Sequence, residues 1–139
     1  MSNNGYNVHE NLNELEESVL DDLNQGYDFV DVAYGDGSWV GVYQDTPSNT
    51  GYYAASSVDE LTQTVKQQWD ESGYRLTGVE YGDGVWFGTF EEDYGANAYS
   101  VSTSLTELTE DISEVWSWNQ GDDLVDVEFG DGTWVVTFR

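Results

Sequence analysis

The chain has 139 residues, of which 28 are acidic and only three are Lys or Arg, so the formal net charge is −25. This charge excludes direct binding to nucleic-acid phosphates or to an anionic bilayer, because both need clustered Lys and Arg. Cysteine is absent, which excludes disulfides and thiolate metal sites, whereas the 38% of hydrophobic residues suffice for the core of one domain, 1–139.

The predicted elements recur in three tandem units, at approximately 5–46, 51–92 and 97–139. Each unit is predicted to contain a strand, a helix, a second strand, a tight turn and a third strand. The first strand of each unit is expected at Gly5–His9, Gly51–Ser56 and Asn97–Thr103. Repetition at a period of 47 to 48 residues indicates one structural unit used three times.

The helix of each unit is predicted from apolar residues that step by three, four and four positions, as in a stripe that faces a core. Each helix begins with a capping box, in which an Asn or Ser precedes a Glu by three residues. Each is followed by a glycine suited to a left-handed C-cap: Gly26, Gly73 and Gly121. The stripes are Leu12, Leu15, Val19 and Leu23; Val58, Leu61, Val65 and Trp69; and Leu105, Leu108, Ile112 and Trp116. The boxes are Asn11 with Glu14, Ser57 with Glu60, and Ser104 with Glu107.

An Asp-Gly pair between alternating apolar runs then predicts a two-residue type I′ hairpin in each unit. The turns are Asp36-Gly37, Asp83-Gly84 and Asp131-Gly132. Counting outwards from the turns predicts the cross-strand pairs Tyr34–Trp39, Val32–Gly41 and Val30–Tyr43; Tyr81–Trp86, Val79–Gly88 and Thr77–Phe90; and Phe129–Trp134, Val127–Val136 and Val125–Phe138.

These elements predict an α+β fold in which antiparallel hairpins are covered on one sheet face by helices. One unit cannot bury both its helix stripe and its aromatic sheet face, so the three units must share a core and are expected to form one pseudo-threefold domain. The sequence leaves open whether the sheet closes into a ring or keeps free edges.

In the second unit, Trp69, Gly73-Tyr74 and Leu76-Thr77 precede Tyr81-Gly82-Asp83-Gly84-Val85-Trp86. This order resembles a repeat of unknown function that occurs in bacterial proteins and C-terminal to the kinase domain of plant casein-kinase-one-like kinases. The first unit keeps Gly26-Tyr27 but has Leu23 in place of the tryptophan, and the third has Asp122 in place of the tyrosine. The resemblance spans all three units and implies an accessory or interaction module, with no catalytic or ligand residues to carry over.

The sequence predicts neither catalytic residues nor a cofactor. His9 is the single histidine, which is too few for a histidine metal site, and no nucleophile elbow accompanies it. The turn residues Asp36, Asp83 and Asp131 are interpreted as structural. Two acidic runs, Glu91–Asp93 and Asp122–Asp123, are the weak candidates for a divalent ion, although no EF-hand pattern is present.

The leading functional hypothesis is a non-enzymatic binding protein that engages a basic protein surface through acidic helix faces. Rows of fixed carboxylates can imitate duplex phosphates, so the specific form of this hypothesis is a DNA-mimic inhibitor of a nucleic-acid-binding protein. The predicted binding carboxylates are Glu14, Glu16, Glu17, Asp21 and Asp22 on the first helix, and Glu107, Glu110, Asp111 and Glu114 on the third.

Two alternatives remain open at this point. The first is a self-assembling repeat protein, in which free strand edges and an apolar streak of Val40, Phe87 and Val135 pair between subunits. Trp118, which breaks the stripe of the third helix, is a further interface candidate. The second alternative is a calcium- or salt-dependent extracellular module. A cytoplasmic location is favoured, because no signal peptide and no apolar run of about 18 residues is apparent.

Overall fold

The computed structural model describes residues 4–45, 49–92, 98–118 and 123–139, and within them the chain has the expected α+β composition. These described residues contain three helices and nine strands, and each unit has the order strand, helix, strand, strand. Unit 1 contains β1 (Asn4–His9), α1 (Leu12–Asn24), β2 (Asp28–Gly35) and β3 (Ser38–Gln44). Unit 2 contains β4 (Thr50–Ala55), α2 (Val58–Ser72), β5 (Tyr74–Gly82) and β6 (Val85–Glu92). Unit 3 contains β7 (Ala98–Ser102), α3 (Leu105–Trp118), β8 (Leu124–Gly130) and β9 (Thr133–Phe138).

Each unit forms its own three-stranded antiparallel sheet, with strand orders β1-β3-β2, β4-β6-β5 and β7-β9-β8. The second strand of each hairpin is therefore central, and the strand before the helix pairs with it from the other side. The strands β2, β5 and β8 each lie at an edge of their sheet. These edge strands are where neighbouring units meet.

The hairpin turns have the predicted geometry. Asp36, Asp83 and Asp131 adopt φ angles of 51°, 49° and 48°, and the glycines that follow them have φ angles of 74° to 75°. Left-handed backbone at both central residues is the requirement of a type I′ turn, which Asp tolerates better than most non-glycine residues. The interpretation of these aspartates as turn residues is confirmed.

The register beside each turn is as predicted, but the far end of each hairpin is not. Tyr43 was expected opposite Val30 and lies instead opposite Phe29, because β2 contains a bulge between Phe29 and Asp31. The same one-residue shift places Leu76 opposite Phe90 and Leu124 opposite Phe138. An extra residue in one strand reverses which side chains face the core beyond it. The bulge thus turns Phe29, Leu76 and Leu124 towards the inner face in place of the predicted residues.

The N-cap side chains make the hydrogen bond that the capping box predicts. Asn11, Ser57 and Ser104 each accept a hydrogen bond from the backbone N–H three residues on, at 2.9 to 3.1 Å. The returning contact differs in α2, where Glu60 Oε2 accepts from Ser56 N rather than from the N-cap residue. At the helix ends, Gly73 has the left-handed conformation of a C-cap, and Gly26 also has a positive φ. Gly121 lies outside the described residues.

Apolar residues of neighbouring units share cores, as the helix stripes and aromatic sheet faces predicted. Leu15 and Val19 of α1 cluster with Phe29 and Trp39 of their own sheet and with Phe87 of unit 2. The core of unit 2 likewise includes Val135 of unit 3. These contacts run from unit 1 to unit 2 and from unit 2 to unit 3. They do not confirm the expected pseudo-threefold arrangement, nor that the helices cover one sheet face.

Candidate interaction surfaces

Six of the nine carboxylates predicted to form an acidic binding surface are exposed on α1 and α3. Neither helix contains a Lys or Arg, so no cation of the same helix compensates them. Because Leu15 and Val19 of α1 and Leu108 and Val115 of α3 are buried, the acidic positions lie on the remaining helix surface. The prediction that Leu105 and Trp116 face the core is wrong, since they are 61% and 47% exposed. The exposed carboxylates are Glu14, Glu17, Asp21, Glu107, Glu110 and Glu114.

The other three predicted binding carboxylates, Glu16, Asp22 and Asp111, are half-buried, and two of them have structural partners. Asp22 accepts a hydrogen bond from Asn7 Nδ2 at 2.9 Å. Asp111 accepts from Ser100 Oγ at 3.0 Å and from Ser102 Oγ at 2.5 Å. These bonds join each helix to the first strand of its own unit. Asp22 and Asp111 are therefore committed within the fold, whereas the six other carboxylates remain exposed, Glu107 with a hydrogen bond from Thr103 Oγ1 at 3.2 Å.

The predicted apolar streak does not lie on a free surface as a whole. Phe87 and Val135 are fully buried between units, Phe87 in the core of unit 1 and Val135 in the core of unit 2. Only Val40, the equivalent residue of unit 1, stays half-exposed. The expectation that all three pair between subunits is wrong for Phe87 and Val135, because the next unit of the same chain already covers them. The side chain of Trp118 lies outside the described part of the structure.

Each sheet has two sides that meet different neighbours. We call the side that carries Tyr34, Tyr81 or Phe129 the aromatic face of its unit. The opposite side, which carries Gly35, Gly82 or Gly130, is the glycine face. The contact between consecutive units joins the aromatic face of one unit to the glycine face of the next. Tyr34 of unit 1 lies so close over Gly82 of unit 2 that a Cβ on that glycine would overlap its ring. Tyr81 of unit 2 lies in the same way over Gly130 of unit 3. One contact is therefore used twice.

Aromatic rings fill the first of these junctions. Phe87 packs on Phe29 at a centroid distance of 5.7 Å and on Trp39 at 6.0 Å, and it stacks on Tyr52 at 5.3 Å. Tyr52 in turn meets Phe29 edge-on. Offset and edge-to-face aromatic pairs each add about 0.5–1.5 kcal/mol beyond the area that they bury. The junction is thus packed like a protein core.

Carboxylates of one unit bind backbone amides of the unit before it. Glu80 Oε1 accepts from Tyr34 N at 3.0 Å, and Asp126 Oδ2 accepts from Val79 N at 2.9 Å. Gly78 leaves room for this second bond, since a Cβ there would lie 3.3 Å from Asp126 Oδ2. Edge-strand N–H groups invite pairing with another chain. Here the next unit covers two of them with side chains, a role that sequence reasoning missed.

Three carboxylates at these junctions, Glu128, Glu80 and Asp31, have pKa values above the ordinary range. Burial raises the pKa of Glu128 to about 7, assisted by the neighbouring carboxylates of Glu80 and Asp126. The pKa of Glu80 is also raised, mainly by burial, against the opposing effect of the hydrogen bond from Tyr34. Burial raises the pKa of Asp31 as well, and Asp126 adds to it. Asp31 and Asp126 line a groove of about 270 Å³ to which all three units contribute.

We call Asp31, Glu80, Asp126 and Glu128 the carboxylate row. Three of them, Glu80, Asp126 and Asp31, have a structural role, because each accepts a hydrogen bond from a backbone N–H group. Within residues 4–45, 49–92, 98–118 and 123–139, no group of three or more His, Asp or Glu side chains could hold a metal ion. The acidic runs considered for a divalent ion extend beyond these residues, at Asp93 and Asp122. His9 is half-buried, and no partner for its Nε2 is seen among the described residues.

No family model, curated protein or solved structure matches this chain. The resemblance to the repeats of plant kinases and bacterial proteins therefore stays a prediction. Two of its motif residues, Trp69 and Gly73, nonetheless have clear local roles. Gly73 caps α2, and the Trp69 ring carries the Arg75 guanidinium 4.0 Å from its centroid. Among the described helices, none is both long and apolar enough to cross a membrane.

Proposed function

We propose that this chain is a non-enzymatic binding protein whose acidic helix faces engage a basic surface on a partner protein. The observation that carries the proposal is the set of six exposed carboxylates on α1 and α3, with no cation in either helix. A dense anionic face attracts a basic partner over the range of the Debye length, which is about 8 Å at physiological ionic strength.

The specific form of the proposal is imitation of duplex DNA, with a nucleic-acid-binding protein as the partner. Such a protein already carries clustered Lys and Arg that release counterions when they meet a polyanion. Because helical packing fixes the exposed carboxylates of α1 relative to its core residues Leu15 and Val19, these anions are ordered rather than attached to a flexible tail. Less conformational entropy is then lost when the partner binds.

Two charge variants of equal net charge test this proposal. The first removes three exposed charges from α1 through Glu14→Gln, Glu17→Gln and Asp21→Asn. The second removes three exposed charges from α2 through Asp59→Asn, Asp70→Asn and Glu71→Gln. Each changes the net charge from −25 to −22. Wild type and both variants are immobilised, and proteins that bind them in a host lysate are identified and then purified for affinity measurements.

A partner of the proposed kind binds wild type and the α2 variant alike and binds the α1 variant at least tenfold more weakly. Its affinity for wild type falls steeply as NaCl is raised from about 50 to 200 mM. In the DNA-mimic form, duplex DNA displaces this chain from the partner. Equal weakening by both variants would indicate nonspecific attraction to net charge, and an affinity that is insensitive to salt would contradict the proposal outright.

A further inference from the structure

The aromatic face of unit 3 is exposed where the equivalent faces of units 1 and 2 are buried. At the bulge position, Phe29 and Leu76 are 0% and 2% exposed, whereas Leu124 is 41% exposed. Two residues before the turn tyrosine or phenylalanine, Val32 and Val79 are each 5% exposed, whereas Val127 is 37% exposed. Phe129, which corresponds to Tyr34 and Tyr81, is half exposed. On α3, Leu105 and Trp116 are also exposed.

The glycine face of unit 1 is free in a complementary way. Tyr6 and Val8 are 72% and 57% exposed, whereas their equivalents Tyr52 and Ala54 in unit 2 pack against the core of unit 1. A Cβ on Gly35 would meet nothing within 4 Å, unlike one on Gly82 or Gly130. Val40, which corresponds to the buried Phe87, lies on the same face. Within the described residues, unit 1 therefore presents the surface that units 2 and 3 use to receive an aromatic side chain.

We propose that the aromatic face of unit 3 binds the glycine face of unit 1 in a second copy of this chain, so that copies associate head to tail. The contact repeats between molecules what Tyr34 does on Gly82 and Tyr81 does on Gly130 within one molecule. Phe129 of one copy covers Gly35 of the next. Such a heterologous contact generates a closed ring if the rotation between copies closes, and an open filament if it does not.

Polar groups at the proposed contact are already paired within each copy. Asp126 bonds Val127 N through Oδ1 and Val79 N of the preceding unit through Oδ2. Asp31, at the equivalent position of unit 1, bonds Val32 N through Oδ1 in the same way. Because Val127 N is already bonded, the contact between copies depends on the apolar and glycine surfaces and not on a bond between a carboxylate and an edge-strand amide.

The proposed contact relieves one close carboxylate pair and creates another. Between units 2 and 3, Glu80 and Glu128 crowd each other. At the contact between copies, Ala33 of unit 1 takes the place of one of these glutamates, but Asp126 takes the place of Gly78 and therefore faces Asp31 of the other copy. Long-range repulsion between two chains of charge −25 still opposes association. The assembly is therefore expected at high salt, where the Debye length falls to about 3 Å at 1 M.

The experiment measures the molar mass of the purified chain by sedimentation velocity and light scattering at low salt and at about 1 M NaCl. Wild type is expected to be monomeric at low salt and to form dimers or larger assemblies, in proportion to concentration, at high salt. Phe129→Ser removes the inserted ring and Gly35→Ala places a Cβ beneath it, and each is expected to remain monomeric. Leu20→Ser, an exposed apolar residue of α1 outside both faces, is the matched control and is expected to assemble like wild type.

Mixing the two variants separates a specific contact from general loss of surface hydrophobicity. The Gly35→Ala chain keeps an intact aromatic face, and the Phe129→Ser chain keeps an intact glycine face. Their mixture is expected to form a 1:1 pair that cannot grow, because one productive contact remains. A wild type that stays monomeric at high salt overturns the inference, as does assembly that survives both variants or a mixture that stays monomeric. Because salt strengthens this contact and weakens the proposed acidic one, the two proposals fail separately.

Discussion

At the scale of single residues, the glycines of the repeated Tyr-Gly-Asp-Gly and Phe-Gly-Asp-Gly motif serve two different purposes. The glycine after each aspartate has a positive φ, which the turn requires. The glycine before each aspartate has no such backbone constraint and is needed only where an aromatic ring lies on it. Gly82 and Gly130 meet this second condition, and Gly35 does not. The three copies therefore share the Gly-Asp-Gly sequence but differ in how its first glycine is packed.

This difference makes alanine substitution a residue-level test of the contacts between units. Gly82→Ala is expected to destabilise the chain by about 1–3 kcal/mol or more, because its Cβ would overlap the Tyr34 ring in a packed junction. Gly130→Ala is expected to act similarly through Tyr81. Gly35→Ala is the matched control and is expected to change the free energy of unfolding by less than about 0.5 kcal/mol. Urea unfolding measures all three, at low salt.

A different ranking of these variants would be informative. If Gly35→Ala were as destabilising as Gly82→Ala, the cost would come from loss of glycine in an edge strand, and the close approach of Tyr34 would not be its cause. If all three variants were as stable as wild type, the units would not be packed through these glycines.

At the scale of elements, the hairpins and helices could be predicted closely because their signals are local. Asp-Gly fixes the turn, and a helix stripe with an Asn or Ser cap fixes the helix start, without reference to the rest of the chain. The bulge could not be predicted, since the strand of unit 1 offers both Phe29 and Val30 as apolar candidates for the inner face. Packing against Phe87 of the next unit distinguishes them, and that contact is not visible in the local pattern.

The candidate surfaces divide in the same way. Exposed helix carboxylates such as Glu14 and Glu17 follow directly from helical periodicity. The structural bonds of Asp22 and Asp111 could not be predicted from periodicity, because the polar partners that they bond belong to other elements. The carboxylate row at the junctions was missed altogether. A signal was present, however, because the acidic residues Glu80, Asp126 and Glu128 alternate with apolar ones on edge strands.

The junction of β5 and β8 gives the element-level prediction, which concerns pH. Glu128 has a pKa of about 7 in the folded protein, above the ordinary value of 4.5. The folded state thus holds its proton more tightly than the unfolded state, so stability from this group is fully present below about pH 4.5 and is lost as the pH rises through 7. Allowing for solvent screening, we expect the free energy of unfolding to fall by about 1–2 kcal/mol between pH 5 and pH 8.

Glu128→Gln isolates this effect, because an amide cannot acquire the charge. The variant is expected to be more stable than wild type at pH 8 and to show a flatter dependence of the free energy of unfolding on pH between 5 and 8. Glu110→Gln, an exposed carboxylate of α3, is the matched control and is expected to keep the wild-type slope. An unchanged slope in Glu128→Gln would show that this carboxylate is not crowded in the folded state.

At the scale of the whole molecule, the two proposed interactions can act together. Each copy added head to tail contributes another pair of acidic helices, and the exposed carboxylates of α1 and α3 would then recur along the assembly. Two linked anionic faces bind a partner with two basic sites more tightly than either face alone, provided that the spacing permits both contacts. The same charge limits the assembly, because like-charged copies repel. Ionic strength thus sets the balance between a free acidic chain and a multivalent one.

The net charge also predicts how salt changes the stability of a single chain. Two like charges about 10 Å apart repel by about 0.4 kcal/mol in water, and NaCl at 0.1 M screens much of that repulsion. Summed over the carboxylates, we expect the free energy of unfolding to rise by about 1–2 kcal/mol between 0.01 and 0.1 M NaCl. Unfolding by urea measures this, because urea adds no ions.

A Phe129→Ser background keeps the chain monomeric, so that screening alone is observed. The α2 triple variant, with a net charge of −22, is expected to be more stable at 0.01 M NaCl and to gain less from salt. A free energy of unfolding that did not change with NaCl would mean that the folded and unfolded chains repel themselves equally, and that the acidity does not oppose folding.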